Sequence, residues 1–176
     1  MNKPLKTTLI NGIFADYINV NDRAIHYGDG LFETLLCHDR KIYYWAQHYQ
    51  RLQHSAQRLK LKCPDEKLLL DDIKRLLDNT QVTTGKTFAI KLILSRGTGD
   101  RGYKYTSKID TNRMVMLSEL DINYSSLLCD QLLTGDLFLC KTQASINKTL
   151  AGLKHLNRLE NVLASNEWRN TSKHQY

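Results

Sequence analysis

Two apolar stripes of helical period stand back to back in the middle of this chain, with β-type runs on either side. Trp45, Tyr49, Leu52, Ala56 and Leu59 recur at spacings of 4, 3, 4 and 3, which lines one face of an α-helix. Pro64-Asp65 opens a second helix carrying Leu69, Ile73, Leu76 and Leu77 on one side,. Ahead of the pair, Thr7–Ile10 and Ile13–Tyr17 flank Asn11-Gly12, a strong hairpin signal,. Leu31–Cys37 and Lys41–Tyr44 flank the tight turn His38-Asp39-Arg40. Behind the pair, Thr87–Ser95, Arg113–Leu120 and Leu132–Cys140 read as strands. Asn19–Gly30 and Ser145–Gly152 read as polar loops, and His155–Trp168 regains helical spacing through Leu156, Leu159, Val162 and Leu163. Strands, two helices, then strands again predict an α+β fold, a largely antiparallel sheet packed with two helices, followed by a C-terminal linker and helix. The expected division is residues 1–142 as the α+β domain and 143–176 as the linker and the first helix of a second domain.

Composition narrows the class. With 176 residues and 41% hydrophobic side chains, the chain can bury a real core and is not a disordered polymer. Cys37, Cys63, Cys129 and Cys140 form no C-x-x-C pair, so free thiols in a reducing cytoplasm are expected. No apolar run approaches the ~20 residues a membrane span needs. The 25 Lys and Arg exceed the 18 Asp and Glu, for a net charge of +7, which suits an anionic small molecule. The cations are spread along the chain without a helix-turn-helix, RNP or zinc-finger pattern, so nucleic acid is not the expected partner.

Three places could carry chemistry. Lys154 lies just after Gly152 and just before the last helical run, fixed yet reachable. A lysine there, desolvated or crowded by cations such as His155 and Arg158, can lose its proton and form a Schiff base. Spacing alone does not separate it from a solvated lysine, which most lysines are. Arg51 sits one position from the apolar stripe, where a guanidinium can grip a phosphate with two parallel bonds. The loop Ser95–Tyr103 contains three glycines but opens no helix, so it is neither a P-loop nor a dinucleotide fingerprint. It reads as a long hairpin loop that offers Arg101 and Tyr103 to carboxylates.

Together these residues resemble the fold-type IV family of pyridoxal-phosphate enzymes, which includes branched-chain and D-amino-acid aminotransferases and aminodeoxychorismate lyase. Four blocks match in order: Asn21 to Thr34 (with Asp22-Arg23 and Gly28-Asp29-Gly30-Leu31-Phe32-Glu33-Thr34), His48 to Leu52, Ser95 to Tyr103, and Leu150 to Leu163. Lys154-His155-Leu156-Asn157-Arg158-Leu159-Glu160 is most similar to the lyase's lysine segment, whereas the aminotransferases keep the lysine and vary His155 and Arg158. The resemblance implies that Lys154 carries pyridoxal 5'-phosphate and that Arg51 binds its phosphate. It also implies that Thr34 places a hydroxyl near the substrate. Arg101 and Tyr103 would contact a dicarboxylate substrate, often in the neighbouring subunit of a homodimer. It implies lyase chemistry on the route to folate.

The family has a second domain of roughly a hundred further residues, which supplies the acidic partner of the pyridine nitrogen. The expectation for these 176 residues alone is therefore a folded chain with little or no turnover. The alternatives are a branched-chain or D-amino-acid aminotransferase, and a non-catalytic dimerising or ligand-binding domain.

Overall fold

The computed structural model describes residues 7–80, 85–106, 109–120 and 137–167. Six strands form one sheet in the order β2-β1-β6-β5-β3-β4, with every neighbouring pair antiparallel. They are β1 (Thr8–Ile10), β2 (Ile13–Phe14), β3 (Gly30–His38), β4 (Lys41–Ile42), β5 (Thr87–Ser95) and β6 (Asn112–Leu120). The helices are α1 (Arg23–Tyr27), α2 (Trp45–Leu59), α3 (Glu66–Asn79) and α4 (Leu159–Glu167). The α+β expectation holds, and both central helices lie where the apolar stripes put them.

The strands alternate in phase, and the phase decides what each face does. Leu31, Leu35 and Cys37 of β3, Phe88, Ile90, Leu92 and Leu94 of β5, and Val115 and Leu117 of β6 are buried on one face. α2 covers β3 there and α3 covers β6 and β1, with Leu52, Ala56, Leu69, Ile73, Leu76 and Leu77 completing the core. The register places Phe32 opposite Ile93 and Thr34 opposite Lys91, so these four share the other face.

Several expectations need correction. Asn19–Gly30 is not all loop: Asp22 caps α1 by accepting the Ala24 N–H at 2.8 Å, a satisfied N-cap on a single turn. The return strands of the first two turns are shorter than read, Ile13–Phe14 and Lys41–Ile42, the second because Tyr44 adopts a left-handed conformation (φ 55°) to start α2, whereas β3 runs one residue further at each end, Gly30–His38. The last helix begins at Leu159 rather than His155. The backbone of His155 pairs with Leu31 of β3 instead, and the Arg158 side chain occupies the carbonyls of Leu153 and His155. Most of the strand expected over Leu132–Cys140 lies outside the described residues. Its last part, Leu137–Cys140, has no strand pairing, and Leu137 and Leu139 are fully exposed. Cys37, Cys63 and Cys140 are free thiols, and burial pushes Cys63 up to about 11. No described helix is long and apolar enough to cross a membrane.

Candidate active site

Lys154 is held by a strap rather than by a helix. The Phe32 N–H donates to the Lys154 carbonyl at 2.9 Å and the Leu156 N–H donates to the Gly30 carbonyl at 3.0 Å. The strap thus pairs with the leading end of β3, on the edge that β4 joins only at Cys37 and His38. Arginines hold it from both sides. Arg58 of α2 donates to the carbonyls of Thr149 (2.7 Å) and Ala151 (2.8 Å). Arg158 donates to those of Leu153 and His155, both at 3.0 Å. Gly30 makes the close approach possible: a Cβ there would lie 2.6 Å from the Leu94 carbonyl oxygen and 2.7 Å from Leu156 Cδ1. Gly30→Ala is expected to cost about 1–3 kcal/mol in chemical denaturation and to speed amide exchange at Leu156. An unchanged midpoint would mean that the strap can sit further from β3 at no cost.

The strap turns the Lys154 side chain onto the Phe32 face, with Nζ 4.5 Å from the ring centroid. Lys91 and Arg158 approach the same ring at 5.5 and 5.7 Å. Burial lowers the Lys154 pKa below the ordinary lysine range. Glu33 opposes that shift, and Arg51, Arg158 and Lys91 add to it. The amine has no hydrogen-bond partner among the described residues. Desolvation and neighbouring cations both favour the neutral amine relative to an exposed lysine,.

Arg51 comes from the helix face. Its Nε donates to Glu33 Oε1 at 2.7 Å and its Nη2 to Oε2 at 2.5 Å. His48 Nδ1 lies 2.7 Å from the same Oε2. Glu33 is 1% exposed, whereas the Arg51 side chain is 46% exposed. A buried carboxylate therefore grips one edge of the guanidinium and leaves Nη1, on the other edge, unengaged among the described residues. Sequence reading missed Glu33. The signal was present, since Glu33 shares the inward phase of Leu31, Leu35 and Cys37, where an unpaired carboxylate is too costly to keep.

The remaining candidates lie apart. Thr34 is exposed on β3, one residue from Glu33 and on the face of Phe32 and Lys91. Arg101 and Tyr103 are both exposed, Tyr103 by 87%, on the loop after β5. The contacts that hold this loop run to residues 21–29, in and around α1, and to the end of α2, not to Lys154. A cavity of about 530 Å³ lies beside the strap, lined by Asn147, Leu150, His155, Arg158 and Leu159 among others. Lys148 is among its lining residues and Lys154 is not.

Lys154 thus offers an amine without a hydrogen-bond partner among the described residues, and Arg51, close enough to lower the lysine's pKa, offers an open guanidinium edge. The sequence profile of the family described as amino-transferase class IV matches residues 30–175. An aminodeoxychorismate lyase from Vibrio harveyi is 30% identical over 158 residues, 90% of this chain and 55% of that protein. A D-alanine aminotransferase from Staphylococcus aureus is 26% identical over 166 residues, covering 91% and 55%. The crystal structure of 4-amino-4-deoxychorismate lyase from Pseudomonas aeruginosa superposes with a TM-score of 0.75 at 33% identity, covering 92% of this chain and 56% of that one. The chain spans about half the length of these relatives.

Proposed function

The chain belongs to the class IV aminotransferase family, and on that premise we propose that it is the lysine-bearing portion of an aminodeoxychorismate lyase. The reaction converts 4-amino-4-deoxychorismate to 4-aminobenzoate and pyruvate, in the biosynthesis of folate. The observation that supports this reading over a transaminase is Arg158. It belongs to the part of the lysine segment that the lyase keeps and the aminotransferases vary. Here it grips the carbonyls on both sides of Lys154.

Pyridoxal 5'-phosphate, when bound, supplies an electron sink for a carbanion. Lys154 Nζ would hold the cofactor covalently, and Arg51 Nη1 would face its phosphate while Glu33 fixes the other edge. Freed once the substrate's own amine takes its place on the cofactor, Lys154 Nζ would take the proton from the amine-bearing ring carbon and return a proton to the departing enolpyruvate as general acid. Lys91 and Arg158 add positive potential for a dicarboxylate, and Thr34 offers a hydroxyl on the same face. Arg101 and Tyr103 would meet the substrate from the exposed loop, in a homodimer where each copy lends its loop to the other. The D-alanine aminotransferase relatives favour a second reading, in which Lys154 shuttles the proton of an amino acid's Cα. Incubation with a D-amino acid and 2-oxoglutarate separates the two: the lyase forms 4-aminobenzoate from its own substrate and no glutamate here.

The first test needs no turnover. Borohydride reduction with pyridoxal phosphate, followed by peptide mapping, is expected to fix the cofactor saturably on Lys154. Because its pKa lies below the ordinary range, trapping at Lys154 should persist as pH falls to values where exposed lysines, protonated up to ~10.4, no longer react. Arg51→Ala should shift half-saturation roughly ten- to hundredfold upward, one charge-assisted phosphate contact being worth ~1.5–3 kcal/mol. Label scattered over surface lysines would sink the assignment of Lys154, and an unchanged titration would remove Arg51 from the site.

A further inference from the structure

Residues 96–103, the part of the loop that directly follows β5, are built as a fixed platform. Its first half is pinned by backbone. The Arg23 N–H donates to the Gly97 carbonyl at 3.0 Å, Asp22 pairs with Thr98, and the Gly99 N–H donates to the Asn21 carbonyl at 3.4 Å. Gly97, at φ +94°, has no room for a side chain, since a Cβ would meet the Asp110 carbonyl oxygen at 2.1 Å.

The second half is pinned by one side chain. Arg23 is 3% exposed. Its Nη1 donates to the Gly102 carbonyl at 2.9 Å and more weakly to that of Asp100 at 3.4 Å. Its Nη2 donates to the Tyr103 carbonyl at 3.2 Å, and its Nε donates to Asp29 Oδ2 at 3.0 Å. Tyr27 closes the cluster: its ring lies 4.7 Å under the Arg23 guanidinium and its hydroxyl accepts the Gly102 N–H at 2.8 Å. A buried cation satisfied by three loop carbonyls within four residues, those of Asp100, Gly102 and Tyr103, fixes where the loop's backbone runs,. With the carbonyls turned in, the side chains of Arg101 and Tyr103 are turned out.

We propose that Arg23, supported by Tyr27, is a positioning residue that sets the loop from which Arg101 and Tyr103 meet the substrate's carboxylates. This rests on the reading of those two side chains as substrate contacts. The guanidinium itself touches no substrate; it acts by holding three carbonyls at fixed positions. A lysine could still pair with Asp29 but cannot fork across Gly102 and Tyr103.

The test uses Arg23→Lys, which keeps the buried charge neutralised, and Tyr27→Phe, which removes only the hydroxyl. Native-state trypsin cleavage after Arg101 and Lys104 is expected to quicken about tenfold in Arg23→Lys and less in Tyr27→Phe. KM for 4-amino-4-deoxychorismate should rise about tenfold in Arg23→Lys with kcat within about twofold, as when binding shared by ground and transition states is lost. In an Arg101→Ala background, Arg23→Lys should add little further to KM. Unchanged cleavage would overturn the clamp. Faster cleavage with unchanged KM would overturn the positioning role while leaving the lyase reading, judged by 4-aminobenzoate formation in the parent, intact. These rates are read in the protein that carries this chain together with the second domain the family implies; absence of 4-aminobenzoate there defeats the substrate reading, and this proposal with it.

Discussion

Lys154→Ala is expected to abolish formation of 4-aminobenzoate in the protein that carries this chain, with a loss of at least about a thousandfold. On the proposed reading one residue supplies both the covalent hold on the cofactor and the proton transfers, so no partial function would remain when it is removed. The neighbouring cations cannot substitute. Arg158 is committed to two strap carbonyls, and a guanidinium keeps its proton throughout the accessible pH range. Lys91 reaches the same ring but starts from β5, whereas Lys154 is carried on the strap along the opposite edge of β3. The variant should fold as the parent does, because the strap is tied by backbone and by Arg58 and Arg158 rather than by the Lys154 side chain. Far-UV circular dichroism and the denaturation midpoint check that point. Retention of more than a trace of product by a folded variant would transfer the role to another amine.

Much of this arrangement was legible in the sequence, and the rest was not, for reasons that can be stated by residue. Period and phase are local, so the stripes through Leu52 and Leu76, the hairpin at Asn11-Gly12 and the span of β5 could be read directly. Lys154 and Arg51 were found by resemblance to family motifs; spacing by itself did not distinguish them from surface residues. The strap could not be read as such. Helical spacing through Leu156 and Leu159 is genuine, but a backbone hydrogen bond from Leu156 to Gly30 wins over it, and no local pattern reports a partner so far away. Leu159, Val162 and Leu163 consequently lie on a helix that buries nothing among the described residues. The polar cluster of Asp22, Arg23, Asp29 and Arg96 was passed over as turn and loop. Its partners are distant, 67 residues between Asp29 and Arg96, so burial of these charges has no signature in any window of the sequence.

That cluster carries the largest expected effect on stability. Asp29 Oδ2 accepts from Arg23 Nε at 3.0 Å and from Arg96 Nε at 2.7 Å. Both arginine side chains are almost wholly removed from water, 3% and 7% exposed. Arg96 also donates to the carbonyls of Leu59 (2.8 Å) and Lys60 (3.1 Å), where α2 ends, and lies 3.6 Å over the Tyr105 ring. One carboxylate thus neutralises two guanidiniums that between them tie down α1, the end of α2 and both halves of the loop after β5. Asp29→Asn keeps the shape and deletes the charge. Two buried cations would then face each other across a neutral amide, a change expected to cost about 3–5 kcal/mol and to lower Tm by roughly 6–20 °C for a chain of this size. The contrast is Asp78→Asn. Its partner Arg40 and Asp78 itself are 41% and 54% exposed, so water screens the pair and the expected loss is under about 1 kcal/mol. Thermal and urea unfolding of the two variants measure the difference. Equal, small losses would mean that the Arg23 and Arg96 guanidiniums are satisfied by carbonyls and aromatic rings alone, and that Asp29 is not what neutralises them.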